Sequence, residues 1–163
     1  FTESGRTVLC AGYQKTIRLF DTQNNKETGR LEGHKSTIKS IAVAPDTTMV
    51  ASGSQDGSVY LWEWNSKRKY AELPGHTAEV LAVLFSPDRE SNLLVTAGAD
   101  GTIIFWDIEH NKMRHKVDAG AAVYALAFTP DGKTLFSAGD DHLIRRWDVA
   151  TAKSTGVFKG HAD

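Results

Sequence analysis

A single cysteine, Cys10, stands in a chain of 163 residues. No internal disulfide framework can form, and the composition suits a reducing intracellular compartment such as the cytoplasm. Charge of one sign is missing too: 19 Lys and Arg oppose 20 Asp and Glu, a net charge of −1. That balance leaves no electrostatic footprint for nucleic acid or an anionic membrane. No stretch reads as a secretory signal or as a membrane span. Gly-rich phosphate loops of the Walker or dinucleotide type, Cys-x-x-Cys pairs and His-Glu-x-x-His patterns are absent. His110 and His115 bracket a polar hairpin, but their five-residue separation with no thiolate nearby is a poor zinc pattern. No cofactor or metal is therefore expected. Lys67-Arg68-Lys69 falls between predicted strands and reads as a solvated hairpin, and Cys10, in a strand-like run, reads as a small core hydrophobe. An apolar fraction of 40% with 24% charged residues is that of an ordinary globular chain.

What the sequence has is a repeat. An aromatic followed by an acid closes a short β-type run at Phe20-Asp21, Trp62-Glu63, Trp106-Asp107 and Trp147-Asp148, and Gly-His pairs occur at Gly33-His34, Gly75-His76 and Gly160-His161. Gly33, Gly75, Asp118 and Gly160 fall 42, 43 and 42 residues apart, the period of propeller blades. Each copy follows one grammar. An apolar alternation (Ile38, Ile41, Val43; Val80, Val83, Phe85; Val123, Leu126, Phe128) leads to Pro45-Asp46, Pro87-Asp88 or Pro130-Asp131. There Pro presets φ for a turn and Asp can bond the backbone two residues on. A second run of small and β-branched residues ends in a tight turn at Gln55-Asp56-Gly57, Ala99-Asp100-Gly101 or Asp140-Asp141-His142. The third run carries the Trp, and a fourth, more polar stretch reads as an outer, half-solvated strand.

The first segment fits the same register from its second strand onward: Ile17-Arg18-Leu19-Phe20-Asp21 matches Ile144-Arg145-Arg146-Trp147-Asp148. The expected organisation is a partial blade over 1–32, blades over 33–74, 75–117 and 118–159, and the start of a further repeat at 160–163. Both ends fall where an inner strand is due, so a piece of a longer protein is the expectation.

Spacing, turn chemistry and terminal Trp-Asp recur together, and on those motifs nearly the whole chain resembles the WD-repeat family of β-propellers. The resemblance implies an all-β fold of four-stranded antiparallel blades, three complete and one partial, within a seven- or eight-bladed propeller. It also implies that each blade is clipped by a hydrogen-bonded chain of His, Asp, Ser or Thr, and Trp. Carried onto this sequence, the second copy offers His34, Ser52, Asp56 and Trp62, and the third His76, Thr96, Asp100 and Trp106. The fourth keeps Ser137, Asp141 and Trp147 but has Asp118-Ala119 in place of Gly-His; the first has Cys10, Gln14 and Phe20. The first and last copies are therefore expected to be softer. An Asp-His-Ser set can look catalytic, but a hydrolytic triad needs one exposed nucleophile beside an oxyanion hole. Here similar trios recur at regular positions, each followed by a Trp, so they read as structural and no enzyme is expected.

Function is then sought on the surface. The resemblance implies that loops joining fourth to first and second to third strands gather on one face to bind peptides or domains. The matching positions are Tyr13, Thr37, Lys39, Gln55, Glu79, Leu81, Ala99, Tyr124 and Asp140, with the two tyrosines as the aromatic anchors or, alternatively, as packed core edges. Arg146 joins this candidate face as an oddity, because Leu19, Leu61 and Phe105 fill its column; it either pairs with an acid of the next blade or marks a site near the disc centre. Three roles follow: a non-catalytic protein-interaction scaffold with protein or peptide partners, a half-propeller whose two copies close an eight-bladed ring as a homodimer, and an accessory domain of a larger enzyme or signalling protein.

Overall fold

A computed structural model of the chain describes residues 1–2, 4–45 and 48–160. Among them lie fifteen strands and no helix. Each sheet is an antiparallel meander in which every strand pairs with its neighbour in sequence. The first blade has three strands, β1 (Thr7–Cys10), β2 (Thr16–Asp21) and β3 (Glu27–Glu32). The second has four: β4 (Ile38–Val43), β5 (Met49–Ser54), β6 (Val59–Glu63) and β7 (Arg68–Glu72). Blade three comprises β8 (Val80–Phe85), β9 (Leu93–Gly98), β10 (Thr102–Asp107) and β11 (Lys112–Asp118). Blade four comprises β12 (Val123–Phe128), β13 (Thr134–Gly139), β14 (Leu143–Asp148) and β15 (Ser154–Lys159). Asp46 and His161 of the predicted turn and of the last Gly-His pair lie outside the described residues.

The period-two alternation of strands explains how the blades stack. In each third strand the Trp points at the preceding blade, and the residue before it points at the next. Trp62 packs with Ile17, Leu19 and Leu31 of blade one. Trp106 packs with Ala51 and Leu61 of blade two, and Trp147 with Val95 and Phe105 of blade three. The core is thus three apolar slabs, one between each pair of successive blades. β4 lies against β8 and β8 against β12, so the first strands face one another along the inner side. There the Val83 amide donates across blades to Ser40 Oγ at 3.2 Å. β7, β11 and β15 are mostly exposed. The Lys67-Arg68-Lys69 cluster sits on this outer rim, where Lys67 Nζ donates to the Thr28 carbonyl of blade one at 2.9 Å.

A β-bulge recurs in every copy just before the aromatic, at Leu19/Phe20, Leu61/Trp62, Phe105/Trp106 and Arg146/Trp147. The extra residue lies on the fourth strand of each blade, at Thr28, Tyr70, Arg114 and Thr155, where such an insertion raises the local twist. The expectation for Cys10 is overturned: the thiol is exposed. β1 is the edge of its sheet, and the side of the blade that carries Cys10 and Arg18, which pair across β1 and β2, has no further blade against it among the described residues.

Candidate functional site

Tight turns bring the polar residues of each blade to one end of its second and third strands. In blade three, Gly101 adopts φ +73° and closes the turn after Asp100, a conformation that favours glycine. The turn amide of Thr102 donates to Asp100 Oδ1 at 3.0 Å, and the Thr77 amide donates to Oδ2 at 2.9 Å. His76 Nδ1 lies 3.0 Å from the same carboxylate oxygen, and His76 Nε2 lies 2.8 Å from Thr96 Oγ1. The Trp106 indole donates to that hydroxyl at 2.8 Å. The chain Asp100, His76, Thr96, Trp106 runs from the loop through the sheet to the slab beneath.

Blade two is built differently at one link. His34 Nε2 lies 2.6 Å from Ser52 Oγ, and Trp62 donates to the same oxygen at 2.7 Å. His34 Nδ1 does not meet Asp56; it meets Ser58 Oγ at 3.2 Å, and Ser58 Oγ donates to Asp56 Oδ1 at 2.6 Å. A serine relays between acid and imidazole. The imidazole also stacks on Tyr60, with ring centroids 4.3 Å apart. Burial pushes the His34 pKa down to about 4, and burial likewise lowers that of His76, against the pull of Asp100. Burial opposes ionisation of Asp100, yet the amides of Thr77 and Thr102 and the Thr102 hydroxyl hold it below the usual carboxylate range.

In blade four Trp147 donates to Ser137 Oγ at 2.8 Å, and among the described residues no imidazole bonds to the serine. Asp141 instead pairs with Arg145 at 2.6 Å, and the guanidinium lowers its pKa. Blade one places an arginine over the matching aromatic: Arg18 lies 4.8 Å above the Phe20 ring, and both Arg18 and Arg30 pair with Glu27. Sequence reasoning missed Ser58, Thr102 and Arg145. Ser58 and Thr102 were findable, because each stands two residues after the turn acid, where a hydroxyl closes an Asx-type turn. The Asp-His-hydroxyl sets offer no nucleophile: Ser52 and Thr96 are fully buried, and each oxygen already takes an indole proton.

On the surface, the turn between second and third strands is tied to the loop that enters the blade. The Gln55 amide donates to the Thr37 carbonyl at 2.8 Å, Ala99 to Glu79 at 2.8 Å, and Asp140 to Ala122 at 2.9 Å. Leu81 and Thr37 are partly buried beside them. Lys39 pairs with Glu79 of the next blade at 3.3 Å. Tyr13 is 89% exposed and Tyr124 55%. The Tyr124 hydroxyl donates to Asp140 at 3.1 Å. Arg146 stands apart from these loops, mid-strand on the broad side of blade four, where it donates to the side-chain and main-chain oxygens of Thr155 at 3.0 Å each. Asp107, Glu109 and His110 gather potential ligand atoms within 4.8 Å, without His115. Asp107 there holds the Glu109 and His110 amides and pairs with Arg114, which is the chemistry of a turn.

The family described as WD domain, G-beta repeat matches residues 25–63, 67–107 and 112–148. The chain belongs to the WD-repeat family. Its matched segments each end at the third-strand aromatic and acid. Small ribosomal subunit protein RACK1y of Oryza sativa subsp. japonica is 35% identical over 123 residues, covering 74% of this chain and 36% of that protein. Autophagy-related protein 16 of Arabidopsis thaliana is 28% identical over 162 residues, 99% of this chain and 32% of its own length. Nuclear distribution protein PAC1 of Arthroderma otae is 32% identical over 141 residues, 80% of this chain and 31% of its own. The chain thus spans about a third of the length of these relatives. Among the described residues no helix is long and apolar enough to cross a membrane.

Proposed function

We propose that these WD repeats are a non-catalytic protein-interaction scaffold, acting in the cytoplasm, that presents the loops around Tyr13, Lys39 and Tyr124 to a protein or peptide partner. The observation that carries this reading is the contrast between fixed and open parts of one surface. Backbone ties hold the loops of Thr37, Glu79 and Ala122 at 2.8–2.9 Å, and the Ile38 amide donates to the Gly12 carbonyl beside Tyr13 at 3.2 Å, while the Tyr13 and Tyr124 side chains project into solvent. A rigid platform with amphipathic aromatic anchors loses little entropy on binding. Buried, hydrogen-bonded hydroxyls in the Asp-His sets favour structure over chemistry. Quantitative cross-linking in cell extract, comparing wild type with the Tyr13→Ala/Tyr124→Ala variant, tests it. A partner set reduced at least tenfold, with unchanged melting, supports the face. An unchanged set refutes it.

A second reading rests on the open side of blade four. There Phe136 and Phe158 lie with ring centroids 6.2 Å apart, and Phe158 is 49% exposed. A second copy covering that side would give an eight-bladed ring, with light scattering at about twice the 17.8 kDa chain mass. A seven- or eight-bladed propeller within a longer scaffold or enzyme would cover it with its own blades, and the chain alone would then remain a monomer or associate without definite stoichiometry.

A further inference from the structure

In every copy the hairpin between third and fourth strands passes through a non-glycine residue of positive φ: Asn25 at +58°, Lys67 at +58°, Asn111 at +51° and Ala152 at +53°. Asparagine tolerates that region better than other side chains, and lysine has no local reason to occupy it. The Lys67 side chain bonds in another blade. Its Nζ donates to the Thr28 carbonyl of blade one at 2.9 Å, a charge-assisted bond. Lys69 of the same basic run stays at home, 4.2 Å above the Tyr60 ring and 3.6 Å from Glu72.

Blade one is shaped to receive this lysine. Thr28 is the bulged residue of β3, so it has no partner across the ladder to β2. Gly29 beside it leaves room for the lysine stem: a Cβ there would collide with Lys67 Cε and lie 2.8 Å from Nζ, and the three nearest atoms all belong to Lys67. The acids on either side are engaged elsewhere, Glu27 by Arg18 and Arg30 and Glu63 by the Ser66 hydroxyl. No later junction repeats the arrangement. Asn111 follows a blade with Ala71 in the place of Gly29, and Ala152 follows one with His115.

We propose that Lys67 and Gly29 form a strap across the outer rim that couples the order of blade one to blade two. Blade one has Cys10, Gln14 and Phe20 where its neighbours carry hydroxyl, acid and Trp, so it cannot fasten itself. Blade two supplies the fastening from outside, at the Gly12 carbonyl through the Ile38 amide and at Thr28 through Lys67. The strap needs a donor at the end of the lysine stem and an open seat at Gly29. It stands independently of the loop-face reading.

Native-state hydrogen exchange on the 163-residue chain tests it with Lys67→Met, Gly29→Ala and the two combined. The first keeps the stem and removes the donor; the second keeps the donor and fills its seat. Each should speed exchange of β2 and β3 amides about threefold or more, while β9 and β10 stay unchanged and report that the remaining blades are folded. The double variant should exchange no faster than either single one, because both break one contact. Gly29→Ala is the sharper arm, since alanine inside a strand is otherwise the more stabilising residue. Lys67→Asn, which suits the turn, should also speed β2 and β3 while leaving β6 and β7 unchanged. Unchanged or slower exchange in β2 and β3 for either single variant overturns the strap. So do additive effects, a Lys67→Asn change confined to β6 and β7, or wild-type β2 and β3 amides with no protection to lose.

Discussion

Blades three and four carry the same turn acid, the same buried hydroxyl and the same Trp, yet they connect them differently. In blade three Asp100 reaches His76, and the imidazole passes the tie inward to Thr96 and Trp106. In blade four Asp141 reaches Arg145, a neighbour on its own hairpin, and Ser137 serves Trp147 alone. The first arrangement fastens the loop that enters the blade to the strands behind it. The second fastens a turn to itself. One histidine at the mouth of the repeat therefore decides whether the polar chain spans the blade, and blade two, with Ser58 between acid and imidazole, stands between the extremes.

The largest expected effect comes from the shared hydroxyl. Thr96→Val removes the partner of both His76 and Trp106, and each orphaned buried group costs about 1–3 kcal/mol. Ser137→Ala orphans only Trp147. Denaturant titration should give the Thr96 variant the clearly greater loss; equal losses would mean the histidine adds nothing. Next comes the acid. Asp100→Ala should destabilise by about 1–3 kcal/mol and more than Asp56→Ala, because Asp100 holds His76 and two amides directly while Asp56 acts on His34 through Ser58. Ser58→Ala should match Asp56→Ala, and a Ser58 variant indistinguishable from wild type would remove the relay.

A pH dependence follows from His34. Its folded pKa of about 4 lies below the ordinary 6.5, so between those values the unfolded chain binds a proton that the folded chain does not. Stability is then complete above about pH 6.5 and declines toward pH 4. His34→Gln should flatten that slope in melts from pH 7 to 4.5; an unchanged slope would assign it to other groups. The smallest effect is expected for Arg145→Ala, about 1 kcal/mol or less and weaker still in high salt, since the pair is partly exposed.

Much of the architecture was legible in the chain because repetition multiplies weak signals. Asp56-Gly57 alone is only a turn, but with Asp100-Gly101 at the same phase, and Trp62 and Trp106 after them, strand order and face follow from period-two geometry. The clip partners were harder to see. Ser58 and Thr102 stand at matching places in blades two and three yet play different parts, because Ser58 Oγ bridges His34 and Asp56 whereas Thr102 supports an acid that meets His76 directly. Arg145 could not be assigned from its column, which also holds Arg18, Tyr60 and Ile104; its role shows only in the fold, where it pairs with Asp141. Cys10 was misjudged because a strand-like run does not say which side of a sheet is covered. The bulges before each aromatic left no mark in the sequence, since they arise from how the third and fourth strands pair.

Native-state hydrogen exchange on the unmodified chain tests most directly whether the histidine-linked chains govern rigidity. The account predicts that amides of β5, β6, β9 and β10 exchange more slowly than those of β2, β13 and β14, with blade three the slowest. Equal protection in all four blades, or slower exchange in the first and last, would contradict it.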